Sequence, residues 1–452
     1  MKNFNTINDI SPALITTLDS LGFTDMTEIQ EKAINPILDG SDILAQSKTG
    51  SGKTLAFGLP CVMRTNTGNY KPQTIIITPT RELAEQIATE LRKVAAYKPN
   101  LKMLTLYGGV PLRAQAESLA KGAHILIGTP GRIQDHLAKE TLTLENIKTL
   151  VLDEADRMLD MGFYDEIVKI GSNMPRGKQT LLFSATFPQN IEKLAKALLN
   201  QPLTIKVDTI QEADKIDELV YETSDKFKTL STIIQSYKPE SLLIFCNTKV
   251  EVMDLTEKLL KLGHATIDIH GDLDQRDRNE SLLSFSNGSK RIMVATDVAS
   301  RGLDIKDIAL VINYDLPFDA EVYTHRIGRT GRADATGTAI SLFSPKDKEK
   351  CSYVLNEAKK ADITTLRVDS KFRMQSDYDT LCLNGGKKTK LRAGDIIGTF
   401  CKEIGIDNSK IGKINITDTK TYVALHHTVI DKVFQALKKV KIKKKKYVAW
   451  IL

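Results

Sequence analysis

No stretch of this 452-residue chain approaches the roughly 18 consecutive apolar residues of a membrane-spanning helix. Residues Met1 to Leu14 have no apolar core of the kind that marks a secretory leader. The five cysteines, Cys61, Cys246, Cys351, Cys382 and Cys401, are scattered and show no metal-like spacing. These absences argue against a membrane protein, a disulfide scaffold and a zinc ribbon, and fit a reducing, cytoplasmic setting.

Negative charge is scarce in one region only. Residues 381–452 hold sixteen Lys and Arg against five Asp and Glu, a balance of +11, while the other 380 residues hold 47 against 51. A basic module tethered to a slightly acidic body predicts a polyanionic partner, nucleic acid before all others.

What the chain does have is alternation. Ile75–Ile77, Ile125–Ile127, Leu150–Leu152 and Leu181–Phe183 read as buried parallel strands, each followed at once by a polar motif. The pattern restarts after a polar stretch, at Leu242–Phe245, Ile292–Val294 and Leu310–Ile312. Two tandem α/β domains with parallel sheets are expected, residues 1–207 and 217–365, joined by a linker at 208–216. After a second linker at 366–377, residues 378–452 read β-α-β-β-α-β, a small α+β ferredoxin-like unit similar in order to RNA-recognition domains. In that unit Trp450 and Val448 are expected in the core.

Ligands of open α/β sheets bind beyond the carboxyl ends of the strands, so the polar motifs there are candidate site residues. In Ser47-Lys48-Thr49-Gly50-Ser51-Gly52-Lys53-Thr54 the two glycines let backbone N–H groups crowd around phosphates. Lys53 then reaches the β/γ-phosphates and Thr54 ligates Mg²⁺. The strict pattern has Gly where this chain has Ser47. Asp153, at a strand end, suits the Mg²⁺, and Glu154 suits activation of the attacking water. Arg329 and Arg332 would neutralise the charge that develops on the γ-phosphate. Coming from the second domain, they would make hydrolysis depend on the two domains closing. Gln30 offers an amide that matches an adenine edge, and Phe4 an aromatic ring for the base.

The ordered set of motifs resembles the DEAD-box ATP-dependent RNA helicases over roughly residues 4 to 345. That resemblance implies two RecA-like domains, ATP and Mg²⁺ as cofactors, and local rather than processive unwinding. Phe4, Gly22-Phe23 and Gln30 resemble the family's adenine-reading motif, although Met26 and Glu28 replace its usual prolines. The resemblance assigns RNA contacts to Arg81, Gly109, Thr129, Gly131 and Arg132 in the first domain, and to Gln275, Arg278 and Thr296 in the second. It places Asp304 on the ATP ribose, and gives Asp156, Ser184, Thr186 and His325 the task of coupling hydrolysis to strand separation.

The C-terminal module is similar to the RNA-binding domain of the bacterial DbpA subfamily through Gly385-Gly386-Lys387-Lys388, Lys390, Arg392, Ile411–Ile414 and Tyr422–Ala424. This implies recognition of a hairpin in large-subunit ribosomal RNA and work on a pre-ribosomal particle, by a chain expected to be a monomer. Cys382 stands where a base-stacking aromatic is expected, so Lys387, Lys388, Lys390, Arg392 and Lys413 become the candidate contacts. An ATP-gated RNA clamp, or an annealer whose hydrolysis only times release, would use the same residues.

Overall fold

The first sheet is parallel throughout, which a chain of short, wholly apolar strands separated by helices dictates. The computed structural model describes residues 2–47, 50–187, 189–207, 216–297, 308–317, 320–331, 337–345, 347, 354 and 358–452. Two compact units divide the chain near residue 211.

In the first unit, strands β1 (Ile43–Gln46), β2 (Thr74–Ile77), β3 (Met103–Leu106), β4 (Ile125–Gly128), β5 (Thr149–Leu152), β6 (Gln179–Ser184) and β7 (Leu203–Lys206) run in the order β3-β4-β2-β5-β6-β1-β7. Successive side chains alternate between faces. Ile76, Ile127, Val151 and Phe183 therefore pack under helices Glu28–Leu38, Lys53–Arg64 and Arg81–Val94. Ile75, Ile77, Leu150 and Leu182 pack on the opposite side with helices Tyr164–Ser172 and Gln189–Leu198. Both faces are covered, so the polar residues that follow each strand are left to the rim.

The second unit begins with another seven-stranded parallel sheet: β8 (Ile216–Glu222), β9 (Leu242–Phe245), β10 (Thr266–Ile269), β11 (Ile292–Ala295), β12 (Leu310–Asn313), β13 (Gly337–Phe343) and β14 (Lys359–Lys360), ordered β10-β11-β9-β12-β13-β8-β14. It continues into an antiparallel sheet of β15 (Tyr378–Leu383), β16 (Ile411–Ile416), β17 (Thr421–His426) and β18 (Ala449–Ile451), ordered β16-β17-β15-β18. That order is the ferredoxin-like one expected from β-α-β-β-α-β. The first helix of this unit is an α-helix over Ala393–Gly398 that widens into a π turn over Thr399–Glu403. No described helix is long and apolar enough to cross a membrane.

The module's core lies on one face only. Leu381, Leu383, Val423 and Leu425 meet Ile396, Phe400, Ile430 and Val433 from its helices. Two expectations fail here. Val448 is 69% exposed rather than buried, because it points away from that face. Trp450 stands on the other face, beneath the guanidinium of Arg276 and the ammonium of Lys420, 6.0 and 5.2 Å from its ring centre.

Candidate functional site

At the carboxyl edge of the first sheet the backbone sews the motifs together. Ser47 N–H donates to Ser184 O at 3.0 Å, Thr78 N–H to Gly128 O at 2.9 Å, and Asp153 N–H to Ile77 O at 3.0 Å. Gly50 and Gly52 both adopt positive φ, +91° and +90°, the left-handed conformation that glycine takes without strain. At Gly52 a Cβ would lie 2.4 Å from Gln30 Nε2, so a larger residue would have to displace that amide as well as strain the backbone. Helix Lys53–Arg64 starts directly afterwards and aims its free N–H groups back at the loop.

Lys53 is buried and its Nζ donates to Ser47 O at 3.0 Å, while Ser51 Oγ meets Ser47 Oγ at 3.0 Å. Ser47 thus closes the loop through its own backbone and hydroxyl, which is how the chain tolerates the missing first glycine. Thr54 follows Lys53 at the head of the same helix and is half-buried. Lys48, Thr49, Asp304 and Arg332 lie outside the described residues.

The adenine-reading residues stand differently from expectation. Gln30 is buried, its Oε1 accepting from Thr27 N–H at 3.0 Å and its Nε2 donating to Gly52 O at 3.1 Å. The amide therefore ties the helix cap at Thr27 to the phosphate loop. Phe4 is only 2% exposed, packed with Ile7, Leu14, Leu18 and Ile34, so its ring supports this region from within instead of offering a face to a base.

The acidic tetrapeptide occupies the end of β5. Asp153 is buried, and one carboxylate oxygen accepts from Glu154 N–H at 3.0 Å. Burial pushes its proton affinity up to about 7; Glu154 and Asp156 add to the push and Lys53 opposes it. A buried carboxyl within reach of the Lys53 charge fits a divalent cation, whose charge would hold it ionised. Glu154 takes left-handed φ and ψ of 52° and 50° at the head of helix Ala155–Asp160. Its Oε2 accepts from Arg157 Nη1 at 2.8 Å.

Asp156 reaches across to the end of β6. Its Oδ2 accepts from Ala185 N–H at 2.9 Å, Thr186 N–H at 3.0 Å and Thr186 Oγ1 at 3.2 Å, and its Oδ1 accepts from Arg157 N–H. Burial raises its proton affinity, but Lys53 and these donors outweigh burial and hold it below the usual carboxylate range. Ser184 Oγ donates to Thr186 O at 2.7 Å. All three residues named for coupling in this domain form one network.

Of the first-domain RNA candidates, Gly109 and Gly131 are exposed and Thr129 caps helix Pro130–Ala138. The Arg81 guanidinium lies against Gly108, where an added Cβ would come within 2.9 Å of it. Arg132 departs from expectation: its Nη1 donates to Val110 O at 2.7 Å and Gln115 Oε1 at 2.8 Å, and its side chain is largely buried. It holds the Gly109 loop from beneath.

In the second unit, Gln275 and Arg278 sit in the first turn of helix Gln275–Ser286, capped by Asp274. Thr296 follows β11, and its N–H donates to Ile269 O at 3.3 Å. His325 is half-buried near the end of helix Ala320–Ile327, and Arg329 is buried just beyond it. Between them lies a residue that motif reading passed over. Arg326 is fully buried, donates to Asp297 from Nε at 2.6 Å and Nη2 at 2.7 Å, reaches Asn247 Oδ1 at 2.9 Å, and stacks 5.0 Å over Phe245. It bolts three strand-end motifs together, and nothing in the sequence marks it out, because its burial and its acceptors are seen only in the fold.

The basic module presents Lys387, Lys388, Lys390 and Arg392 on an exposed turn. Gly386 permits that turn, since a Cβ there would lie 2.2 Å from Thr417 O. Its open sheet face, by contrast, is covered by the second domain. Asn287 Nδ2 donates to Thr380 Oγ1 at 2.9 Å, Thr380 Oγ1 to Ser289 Oγ at 2.8 Å, and Lys420 Nζ pairs with Glu280 at 3.0 Å. Lys413, expected on RNA, donates to Ser286 O at 3.3 Å. Cys382 is buried in this contact, which accounts for the missing stacking aromatic.

Three family descriptions match the chain: "DEAD/DEAH box helicase" at residues 27–194, "Helicase conserved C-terminal domain" at 225–334, and "DbpA RNA binding domain" at 380–450. The chain is 43% identical to the ATP-dependent RNA helicase DbpA of Escherichia coli, and 37% identical to that of Bacillus subtilis. The first match spans 98% of both chains, and the second 98% of this chain and 97% of the relative. Among solved structures, S. cerevisiae Dbp5 bound to RNA and ADP BeF3 superimposes with a TM-score of 0.71 at 29% identity. It covers 80% of this chain and 96% of that one.

Proposed function

The chain belongs to the DEAD-box ATP-dependent RNA helicases that carry a DbpA RNA-binding domain, and from that premise we propose that it opens short duplexes in large-subunit ribosomal RNA during subunit assembly. The observation that carries this reading is the exposed Lys387–Arg392 turn on a strongly basic module joined to a helicase core. That turn offers backbone-tracking charge to a folded RNA while the core works on adjoining single strand. Holding the substrate nearby raises its effective concentration at the core, which suits local rather than travelling action.

In this reading the phosphates of ATP lie in the Gly50–Thr54 loop, with Lys53 turning from Ser47 O to the β/γ-phosphates. Thr54 and Asp153 would hold Mg²⁺, which would supply positive charge to neutralise the phosphates. Glu154 takes the proton of the attacking water. Arg329 and Arg332 arrive from the second domain when RNA draws the two together. Arg81, Gly109, Thr129, Gly131, Gln275, Arg278 and Thr296 follow the RNA backbone. The Asp156–Ser184–Thr186 network, with His325, carries the state of the nucleotide to the strand. We place the enzyme in the cytoplasm as a monomer.

The test is strand displacement of a short duplex beside large-subunit rRNA hairpins, run against matched duplexes without a hairpin at fixed salt. Preference for one hairpin substrate supports the reading. Equal rates on all substrates contradict the rRNA assignment, and binding with ATP turnover but no displacement makes the protein a clamp. Independently, Glu154→Gln should trap ATP and RNA together while turnover collapses.

A further inference from the structure

The carboxylate of Glu154 is held unevenly. Oε2 accepts from Arg157 Nη1 at 2.8 Å, with the two side chains 7% and 3% exposed, whereas Oε1 has no hydrogen-bond partner among the described residues. The left-handed backbone at Glu154 fixes the root of the side chain, and the ion pair fixes its far end. Arg157 itself is anchored by the first turn of helix Ala155–Asp160, its N–H on Asp156 Oδ1. Its second arm, Nη2, is buried with no acceptor among the described residues. A guanidinium bound through one arm with the other left unsatisfied is not the arrangement that stability alone selects, since a bidentate pair would satisfy both.

We propose that Arg157 is a positioning residue for hydrolysis: it anchors Oε2 of Glu154 so that Oε1 is the oxygen presented to the attacking water. This rests on the reading of Glu154 as the group that takes the water's proton. With Oε2 engaged by a cationic donor, Oε1 is the oxygen with no donor among the described residues, and the ion pair opposes rotation of the carboxylate. Misplacing a general base by a fraction of an ångström affects the chemical step far more than binding of the nucleotide, which Arg157 does not approach through any bond described.

The experiment is steady-state ATP turnover at saturating RNA for Arg157→Met, Arg157→Lys and Glu154→Gln, with the melting temperature of each. Arg157→Met keeps the length of the side chain and removes the donor. Its kcat should fall on the order of 10- to 100-fold, with KM for ATP within about twofold of the parent. Arg157→Lys retains one N–H for Oε2 and should recover most of the loss. Wild-type kcat in a folded Arg157→Met variant would overturn the proposal. So would an Arg157→Lys variant as slow as Arg157→Met with equal loss of melting temperature, which marks a packing role. Should Arg157→Met not fold, the same kcat-against-KM comparison on Arg157→Leu, which also lacks a donor, decides in its place. Near-normal turnover in Glu154→Gln removes the base assignment itself, and a slow Arg157→Met beside it would show Arg157 acting by another route.

Discussion

Asp156 Oδ2 accepts both the N–H and the hydroxyl of Thr186, at 3.0 and 3.2 Å, so the ends of β5 and β6 move as one piece. Thr186→Ala removes the hydroxyl bond and keeps the backbone one. The loss to stability is about 1.5–3 kcal/mol, typical for a bond to a charged acceptor. Combined with Ser184→Ala, strand displacement should drop at least tenfold while RNA-stimulated ATP turnover stays within about threefold. Parallel measurements of both rates on one preparation check this; equal losses in both would make the network a structural brace only.

Gly52→Ala places a Cβ 2.4 Å from Gln30 Nε2 in a backbone region that costs an L-residue about 1–2 kcal/mol. Either the Gln30 amide leaves Gly52 O or the turn shifts, and both disturb the loop proposed to cradle the phosphates. KM for ATP should rise on the order of tenfold, since one such displacement is worth about 1.4 kcal/mol per decade. Titration with a fluorescent ATP analogue reads it directly, and unchanged affinity would refute the assigned cradle.

Glu251 and Asp315 supply a pH dependence away from the nucleotide. Burial, then the bond shared with Asp315, raises Glu251 to about 7, while Glu251, Lys226 and the Asn247 N–H outweigh burial and hold Asp315 low. Stability from the raised group is complete below the ordinary glutamate range and is lost as pH climbs through 7. The contribution of Asp315 is lost only at acid pH below that range. Glu251→Gln keeps a donor for Asp315 without a titrating proton. Its melting temperature relative to the parent should therefore rise between pH 5 and pH 8. A constant difference across that interval would contradict the shared proton.

Changing Lys387, Lys388 and Lys390 together to Gln should weaken RNA binding and lower the slope of log K against log salt by about 2 to 3, the expectation for three phosphate contacts. Nitrocellulose filter binding at several salt concentrations measures it. An unchanged slope would move the RNA surface off this turn.

The parallel strands were legible because each is a short apolar run ending in a polar motif. Leu150–Leu152 followed by Asp153 places a carboxylate at a sheet edge before any coordinates exist. The ferredoxin-like order of the last module was equally plain. Contacts between residues remote in sequence were not. Arg132 reads as an RNA contact until Val110 and Gln115 are seen beneath it. The burial of Cys382 and the place of Trp450 follow from helix Gln275–Ser286, far earlier in the chain, which no periodicity in residues 378–452 encodes. Arg157 and Arg326 were missed for a related reason: a buried arginine and an exposed one look alike until their acceptors are located.

The central claim is that ATP cleavage waits on bound RNA, because Arg329 and Arg332 belong to a different domain from Lys53 and Glu154. The most direct test is ATP turnover by the full chain with and without a structured rRNA fragment, at matched salt and saturating ATP. The account predicts turnover at least tenfold faster with RNA, and loss of that increase in Arg332→Ala. Full turnover with no RNA present would contradict it.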